Sequence, residues 1–207
     1  MCRNLILIVA SFLWLAPCGL QPKPDYVIDK KSPKGTYRVK VRLWEEKPSG
    51  SGDYTEHIKV QYFKGEEIIG TYENKNSDQY EDSFREGMQV VEWLDDNVLR
   101  MGRDRSMQPY NDELIVTNNT QENVKQFSVL YGKFEQLHLF DLPPRSQVTL
   151  YASPEFKPDH SSNYFLGYGG STKSGRTFEG ALQSKQRTSP SDGPLRFHIM
   201  IEEKDLR

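Results

Sequence analysis

The residues best suited to chemistry form a glycine-rich stretch, Gly170-Ser171-Thr172-Lys173-Ser174-Gly175-Arg176-Thr177. It has the spacing of a phosphate-binding loop, except that Arg176 stands where the phosphate-contacting lysine belongs. Such a loop also needs a parallel strand before it and a helix after it, whose N-terminus meets the phosphate. Because the residues after Thr177 do not have helical character, the sequence predicts a flexible hairpin loop and not a nucleotide site.

The four histidines, residues 57, 138, 160 and 198, are scattered over different predicted elements. Zinc sites usually show close pairs of His or Cys, and this pattern has none. We therefore expect no metal, and we expect His57, His138 and His198 at solvent-facing strand positions.

Nucleophilic catalysis requires a Ser or Cys beside a His that a carboxylate orients. The chain has no Gly-x-Ser-x-Gly, and Asp159-His160-Ser161 is a contiguous loop tripeptide, whereas triads are assembled in space. No catalytic residue and no cofactor is predicted. The sequence favours a non-enzymatic binding or assembly module, and the alternative is a secreted hydrolase with a cryptic site between two domains.

Aromatic residues surround the glycines that precede the loop. They are Tyr164, Phe165, Tyr168 and Phe178, around Gly167, Gly169 and Gly170. Rings beside glycines can form a stacking surface for a sugar ring or for an apolar side chain of a partner. Packing at the end of a sandwich core is the alternative explanation.

A second candidate is a row of positive charges. Arg38, Lys40 and Arg42 alternate with apolar residues, so they share one strand face at about 7 Å spacing. Such a row could bind phosphates of lipid headgroups or of lipopolysaccharide. A solvated face paired with Glu66 or Glu67 on a neighbouring strand explains the same residues.

Residues 1–18 are predicted to be a secretory signal peptide. Arg3 gives a positive start, and an apolar run from Leu5 to Ala16 follows, which is shorter than the roughly 20 residues that cross a bilayer. Leu15-Ala16-Pro17-Cys18 resembles the lipobox of bacterial lipoproteins, which implies a lipid anchor at Cys18, although Pro17 departs from the pattern. The alternative is ordinary cleavage before Gly19.

Composition narrows the setting further. The two cysteines, Cys2 and Cys18, both lie in the predicted signal segment, so the mature chain has no disulfide. For an exported protein this favours a bacterial periplasm or a membrane-anchored envelope location. With 27 basic and 29 acidic residues, the chain lacks the basic excess of nucleic-acid binders, so no nucleic acid is expected as a partner. The predicted export makes an envelope protein or a glycan the expected partner.

Alternating apolar residues predict an all-β chain. Residues 19–32 read as an extended tether, residues 33–104 as an antiparallel β-meander domain, residues 105–111 as a linker and residues 112–204 as a β-sandwich domain. Four successive strands with turns between them span Glu113 to Ala152, and Leu195 to Ile201 forms a final strand. The sequon Asn118-Asn119-Thr120 is interpreted as a turn.

The pattern from Asn118-Asn119-Thr120 through a β-run to Asp141-Leu142-Pro143-Pro144 and a further β-run resembles small immunoglobulin-like modules of uncharacterised bacterial envelope proteins. That resemblance covers residues 111–203. It implies an immunoglobulin-like β-sandwich and an envelope location, and it brings no catalytic residue with it.

Overall fold

The computed structural model describes residues 26–46, 55–76, 84, 88–102, 112–131, 135–152, 165–183 and 196–207. The described residues form strands in three sheets and one short 3₁₀ turn. The strands are β1 (Tyr26–Lys31), β2 (Tyr37–Glu46), β3 (Thr55–Lys64), β4 (Glu67–Asn76), β5 (Val90–Asp95), β6 (Val98–Gly102), β7 (Asp112–Asn118), β8 (Val124–Tyr131), β9 (Glu135–Leu142), β10 (Ser146–Ala152), β11 (Phe165–Thr172), β12 (Thr177–Gln183) and β13 (Arg196–Ile201), and the 3₁₀ turn is Glu203–Asp205.

The first sheet is a meander in which β1, β2, β3 and β4 follow one another in order. The central sheet has six strands in the order β12-β11-β8-β9-β6-β5, and the third sheet has the order β10-β7-β13. Neighbouring strands are antiparallel, with the exception of β13 and β7, which run parallel. The predicted fold class, all-β with a meander followed by a sandwich, is confirmed.

Strands β6 and β9 of the central sheet are covered on both faces, and β9 shows this most clearly. Leu137 and Leu139 belong to a core shared with the third sheet, which we call the second core. Phe140 belongs to a core shared with the first sheet, which we call the first core. Since successive side chains on a strand point to opposite faces, one strand contributes to two cores. The described residues therefore form three layers of sheet.

The strands obey the alternation that predicted them. On β2, Tyr37, Val39, Val41 and Leu43 are buried in the first core, and the residues between them face outward. On β13, Phe197, Ile199 and Ile201 are buried in the second core between exposed neighbours. Burial of each such aliphatic side chain stabilises the fold by roughly 1.5–3 kcal/mol.

Residues 26–31 correct the prediction of a tether over 19–32. They form β1, which pairs with β2 along its full length. Only Ile28 packs against a core, and the other residues of β1 are exposed, so this edge strand has no alternating apolar signal. The open edge of β2 recruits it through backbone hydrogen bonds, which any sequence without proline can supply.

The sheets do not follow the predicted division at residues 105–111. Strands β5 and β6 come from the first half of the chain, and β6 pairs with β9 from the second half. The linker itself lies outside the described residues. A further tie joins the first sheet to the central sheet, because the carboxylate of Asp96 accepts hydrogen bonds from the Ser32 hydroxyl at 2.7 Å and from the Lys34 backbone N–H at 2.9 Å.

The Asn118-Asn119-Thr120 turn is a buried polar knot. Asn118 is fully buried, and its Nδ2 donates to the backbone oxygens of Glu122 at 2.9 Å and Pro143 at 2.9 Å. Its Oδ1 accepts from the backbone N–H and from the hydroxyl of Thr120, at 3.1 and 2.8 Å. One side chain therefore joins the β7–β8 turn to the β9–β10 turn, which confirms the interpretation of this sequon as a turn.

We expect Asn118→Ala to lower the free energy of unfolding by about 3 kcal/mol, because it leaves several buried backbone groups without a partner. Urea denaturation followed by tryptophan fluorescence measures this. The matched control is Asn74→Ala, which removes an exposed amide and should cost under about 0.5 kcal/mol. Equal losses in the two variants would contradict the structural role of Asn118.

Candidate functional site

An open groove of about 850 Å³ lies where the first sheet stops short of covering the central sheet. The first sheet packs over β5, β6 and β9, and its edge strand β4 ends this cover beside β8. Gly70 marks the line of contact, since a Cβ there would lie 2.6 Å from the Gln126 side-chain oxygen. The remaining half of that face, on β8, β11 and β12, forms the floor of the groove. The volume of the groove is in the usual range for ligand sites, roughly 300–1,000 Å³.

Two glycines form the middle of this floor. Gly167 pairs with Leu130 of β8 on one side and with Ala181 of β12 on the other. Gly169 pairs with Ser128 of β8. Directly paired residues share a face, so all of these line the groove. A Cβ built on Gly167 meets no atom within 4 Å. Internal packing therefore does not require glycine at this position.

Close neighbours explain the other glycines of β11 and β12, including Gly169, where a Cβ would lie 3.2 Å from the Phe178 backbone oxygen. A Cβ at Gly170 would lie 2.3 Å from the Gln126 backbone oxygen and 2.6 Å from the Phe178 ring, and a Cβ at Gly180 would lie 2.4 Å from the Tyr168 ring. Both glycines face the second core, where these rings stack around Phe127 at centroid distances of 6.3 and 6.4 Å. They differ from Gly167, which has open space above it.

The predicted aromatic site residues divide accordingly. Phe178 is buried in the second core, and Tyr168 packs against that core while its position also lines the groove. Core packing, the alternative explanation, is what the structure shows for Phe178, because its ring faces away from the groove. Phe165 begins β11, and Tyr164 lies outside the described residues.

His138 forms a polar network at the wall of the groove. Its Nδ1 lies 2.7 Å from the Ser128 hydroxyl oxygen, and its Nε2 lies 3.1 Å from the Tyr62 hydroxyl and 3.2 Å from Gln136 Oε1. Because the Gln136 oxygen can only accept, Nε2 carries the proton and Nδ1 accepts from Ser128. Burial lowers the pKa of His138 to about 3, so the ring is neutral at ordinary pH.

The Ser128–His138 contact has the geometry of a nucleophile and its base, but the chemistry does not follow. A base with a pKa of about 3 is far from the value near the working pH that proton abstraction needs. Among the described residues, the partners of Nε2 are a phenol and an amide oxygen, where a triad has a carboxylate. The network stabilises the wall of the groove and presents hydroxyl and amide groups to it.

The outer face of the first sheet is basic. It carries the six basic residues Lys31, Arg38, Lys40, Arg42, Lys59 and Lys75, and the three acidic residues Asp29, Glu46 and Glu73. All the predicted charges of the row on β2 point to this face, opposite to the buried side chains of that strand.

Partners on the same face neutralise part of that charge. Arg38 lies 3.9 Å from Asp29 of β1, and its guanidinium covers the Phe63 ring at 4.3 Å. Lys59 pairs with Glu73. Lys40 and Arg42 have no acidic partner within the described part of the chain, and the pairing with Glu66 or Glu67 considered from sequence does not occur there. Glu67 instead lies 3.8 Å from Lys125.

The histidine expectations were right at one position and wrong at two. His198 is exposed, but His138 and His57 are buried. His57 stacks on Trp44 at 5.1 Å and its Nε2 lies 3.0 Å from Glu46 Oε2. Hydrogen-bonded rings can be buried without the loss that an unpaired polar group suffers, and strand alternation alone does not reveal those partners. His160 lies outside the described residues.

The loop Gly170–Thr177 is the hairpin between β11 and β12, as predicted, with Gly175 at φ 90. Arg176 donates from Nε to Glu122 Oε1 at 2.9 Å and from Nη2 to Glu203 Oε1 at 2.5 Å. Hydrogen bonds from Ser174, and then those from Thr172 and Arg176, lower the pKa of Glu122 to about 2. The carboxylates of Glu122 and Glu203 therefore both bind the guanidinium of Arg176.

Within the described ranges, no group of three or more His, Cys, Asp or Glu side chains is placed to hold a metal ion. The same ranges contain no helix whose length and apolar character would let it span a membrane. Cys18 lies outside them.

Fold and site together define a three-layered all-β protein with an open, glycine-floored groove and a separate basic sheet face. Comparison with protein-family models, with curated proteins and with solved structures found no match to the chain.

The buried, neutral His138 makes the protein sensitive to acid. The pKa of His138 is about 3 in the folded protein, below the ordinary value of 6.5. Between these two pH values the unfolded state binds more protons than the folded state. Folding is therefore most favoured above pH 6.5 and loses free energy below it. As pH falls below about 6.5, the free energy of unfolding should decrease by up to about 1.4 kcal/mol per pH unit.

Urea denaturation at several pH values between 7 and 5 tests this. His138→Asn should flatten the slope, and the exposed control His198→Asn should leave it unchanged. An identical slope in wild type and His138→Asn would show that His138 is not the titrating group.

Proposed function

We propose that this protein is an exported, non-enzymatic binding or assembly module of the bacterial envelope, anchored through a lipid on Cys18, and that its basic sheet face lies against anionic headgroups. The observation that carries the proposal is the excess of basic residues on the outer face of the first sheet. Lys40 and Arg42 lie at its centre without an acidic partner in the described part of the chain. Each such cation near an anionic surface contributes about 1 kcal/mol to binding.

The position of this sheet along the chain supports the same orientation. The seven residues 19–25 separate Cys18 from Tyr26, the first residue of β1. Fully extended, they span at most about 25 Å. A lipid at Cys18 would therefore keep β1, and with it the first sheet, near the headgroups.

The alternative of a secreted hydrolase has one observation in its favour, which is the Ser128–His138 contact beside the groove. The low pKa of His138 and its amide and phenol partners argue against it. We therefore favour binding over hydrolysis.

The lipid anchor is tested on the full chain expressed in a Gram-negative host. Intact-mass spectrometry of the membrane fraction should show a chain that begins at Cys18 and carries a diacylglyceryl group. Cys18→Ser should abolish that modification and release the protein from the membrane in high salt. An unmodified chain that begins at Gly19 would refute the anchor and leave the proposal of an exported module standing.

The basic face is tested in the Cys18→Ser background, where no lipid contributes. Co-sedimentation with vesicles that contain phosphatidylglycerol should exceed that with pure phosphatidylcholine, and rising salt should weaken it, because the attraction is electrostatic. Reversing two charges in Lys40→Glu/Arg42→Glu should weaken binding at least tenfold. We leave Arg38 unchanged because it also packs on Phe63.

The matched control is Arg145→Glu/Lys204→Glu, which changes the net charge by the same amount at two positions outside the first sheet. It should retain most of the binding. If both double variants bind as wild type does, or if both lose binding equally, the basic face is not the membrane-facing surface.

A further inference from the structure

The floor of the groove beside β4 contains one glycine, Gly167, that internal packing does not require. A Cβ added to Gly167 would have no atom within 4 Å, and the φ of this residue is outside the left-handed region, so a larger residue would fit both the backbone and the space. Glycine also weakens a strand interior through entropy and lost packing. Glycine at position 167 therefore gives no advantage to internal packing. This indicates that a ligand uses the space above it.

The chemistry of the lining limits what that is. Its side chains include the hydroxyl of Ser128 and the amides of Gln126 and Gln136. The charged residue among the described lining residues is Glu179, and Arg207 lies 3.0 Å from its carboxylate at the rim. The groove is thus electrically balanced and rich in uncharged hydrogen-bonding groups. These properties suit a neutral ligand that has many hydroxyls.

One aromatic wall completes the site. Tyr72 of β4 is 40% exposed, and the hydroxyl of its ring accepts a hydrogen bond from Asn74 Nδ2 at 2.9 Å, which restrains the ring. Leu130, 43% exposed, offers a further apolar surface on the floor. An aromatic side chain beside polar groups is the arrangement that a sugar ring needs, because each ring has apolar C–H faces and a hydroxyl rim.

We infer that the groove between β4 and the glycine floor of β11 binds a neutral saccharide, with Tyr72 against a sugar face and with Ser128, Gln126 and Gln136 toward its hydroxyls. The inference rests on the proposed binding function and names its ligand class. It does not depend on the basic face.

A peptide strand added to the open edge of β4 is the main competing occupant. Such a strand would extend the first sheet over the floor, and its inner side chains would need apolar partners there. The floor instead presents Ser128, Gln126 and Glu179 with two glycines, and the apolar side chains that face the groove from the floor are Leu130 and Ala181 in the described lining. A floor of glycines and polar side chains gives the inner side chains of an added strand few apolar side chains to pack between.

The experiment is titration calorimetry of the purified protein with maltotetraose, cellotetraose and the tetramer of N-acetylglucosamine, beside tetragalacturonate and a valine- and threonine-rich heptapeptide. We expect at least one neutral tetrasaccharide to bind, and the anionic sugar and the peptide not to bind. Gly167→Val fills the floor with methyl groups and should weaken saccharide binding at least tenfold. Tyr72→Ala should weaken it about tenfold.

The control is Thr149→Val, an exposed position on β10 outside the groove, which should bind as wild type does. The melting temperature of Gly167→Val should be equal to or above that of wild type, and its vesicle binding should be unchanged, which separates a blocked groove from an unfolded protein and from a failed membrane function. Binding of the peptide in place of the sugars, no binding by any neutral tetrasaccharide, or full affinity in Gly167→Val would each overturn the inference.

Discussion

The constraint on which the structure depends is the two-sided burial of the central sheet. Strand β9 must supply apolar side chains to both of its faces, and it does so with Leu137 and Leu139 on one face and Phe140 on the other. Sheets buried on both faces are usually near-continuous apolar runs. The exception here is His138. The hydrogen bond that Nδ1 accepts from Ser128 and the one that Nε2 donates to Tyr62 offset the cost of burying it. Loss of either core would expose one face of the central sheet, and the same strands also supply side chains to the other core.

The difference in width between the layers produces the groove. The first sheet has four strands and the central sheet has six. The first sheet therefore covers only part of the facing side of the central sheet, and this cover ends at β4. Where cover ends, the central sheet changes from apolar to small and polar residues, as at Gly167 and Ser128. The floor of the groove and the first core are therefore neighbouring parts of one face, and the network around His138 lies at their boundary.

Much of the fold was predictable because period-two alternation is a direct record of one-sided burial. The alternation of Val39 and Val41 with charged residues gave β2, and that of Phe197, Ile199 and Ile201 with Arg196, His198 and Met200 gave β13. The pattern fails for β1, where only Ile28 meets a core and pairing depends on backbone groups that are the same in every sequence. Sheet partners across the chain, such as β6 and β9, leave no local signal either.

The candidate site was predictable only in part. The glycines of β11 were singled out from sequence, but their roles differ by face, and a face is assigned only once the register with β8 is known. Close contacts with the Gln126 backbone and the Phe178 and Tyr168 rings explain Gly170 and Gly180 and leave Gly167 unexplained by packing. His138 was expected to face solvent, but it is buried. Its hydrogen-bond partner Tyr62 is 76 residues away in the chain, so no local sequence signal reveals this pairing.

The burial of Asn118 has a practical consequence for producing the protein. Asn118-Asn119-Thr120 satisfies the acceptor pattern for N-linked sugars, and a eukaryotic secretory pathway transfers such sugars to unfolded chains. The acceptor nitrogen is the atom that donates to Glu122 and Pro143, and the residue has no solvent access. A chain modified there before folding has nowhere to place the glycan, so yeast or animal-cell secretion would yield misfolded material where a bacterial host does not.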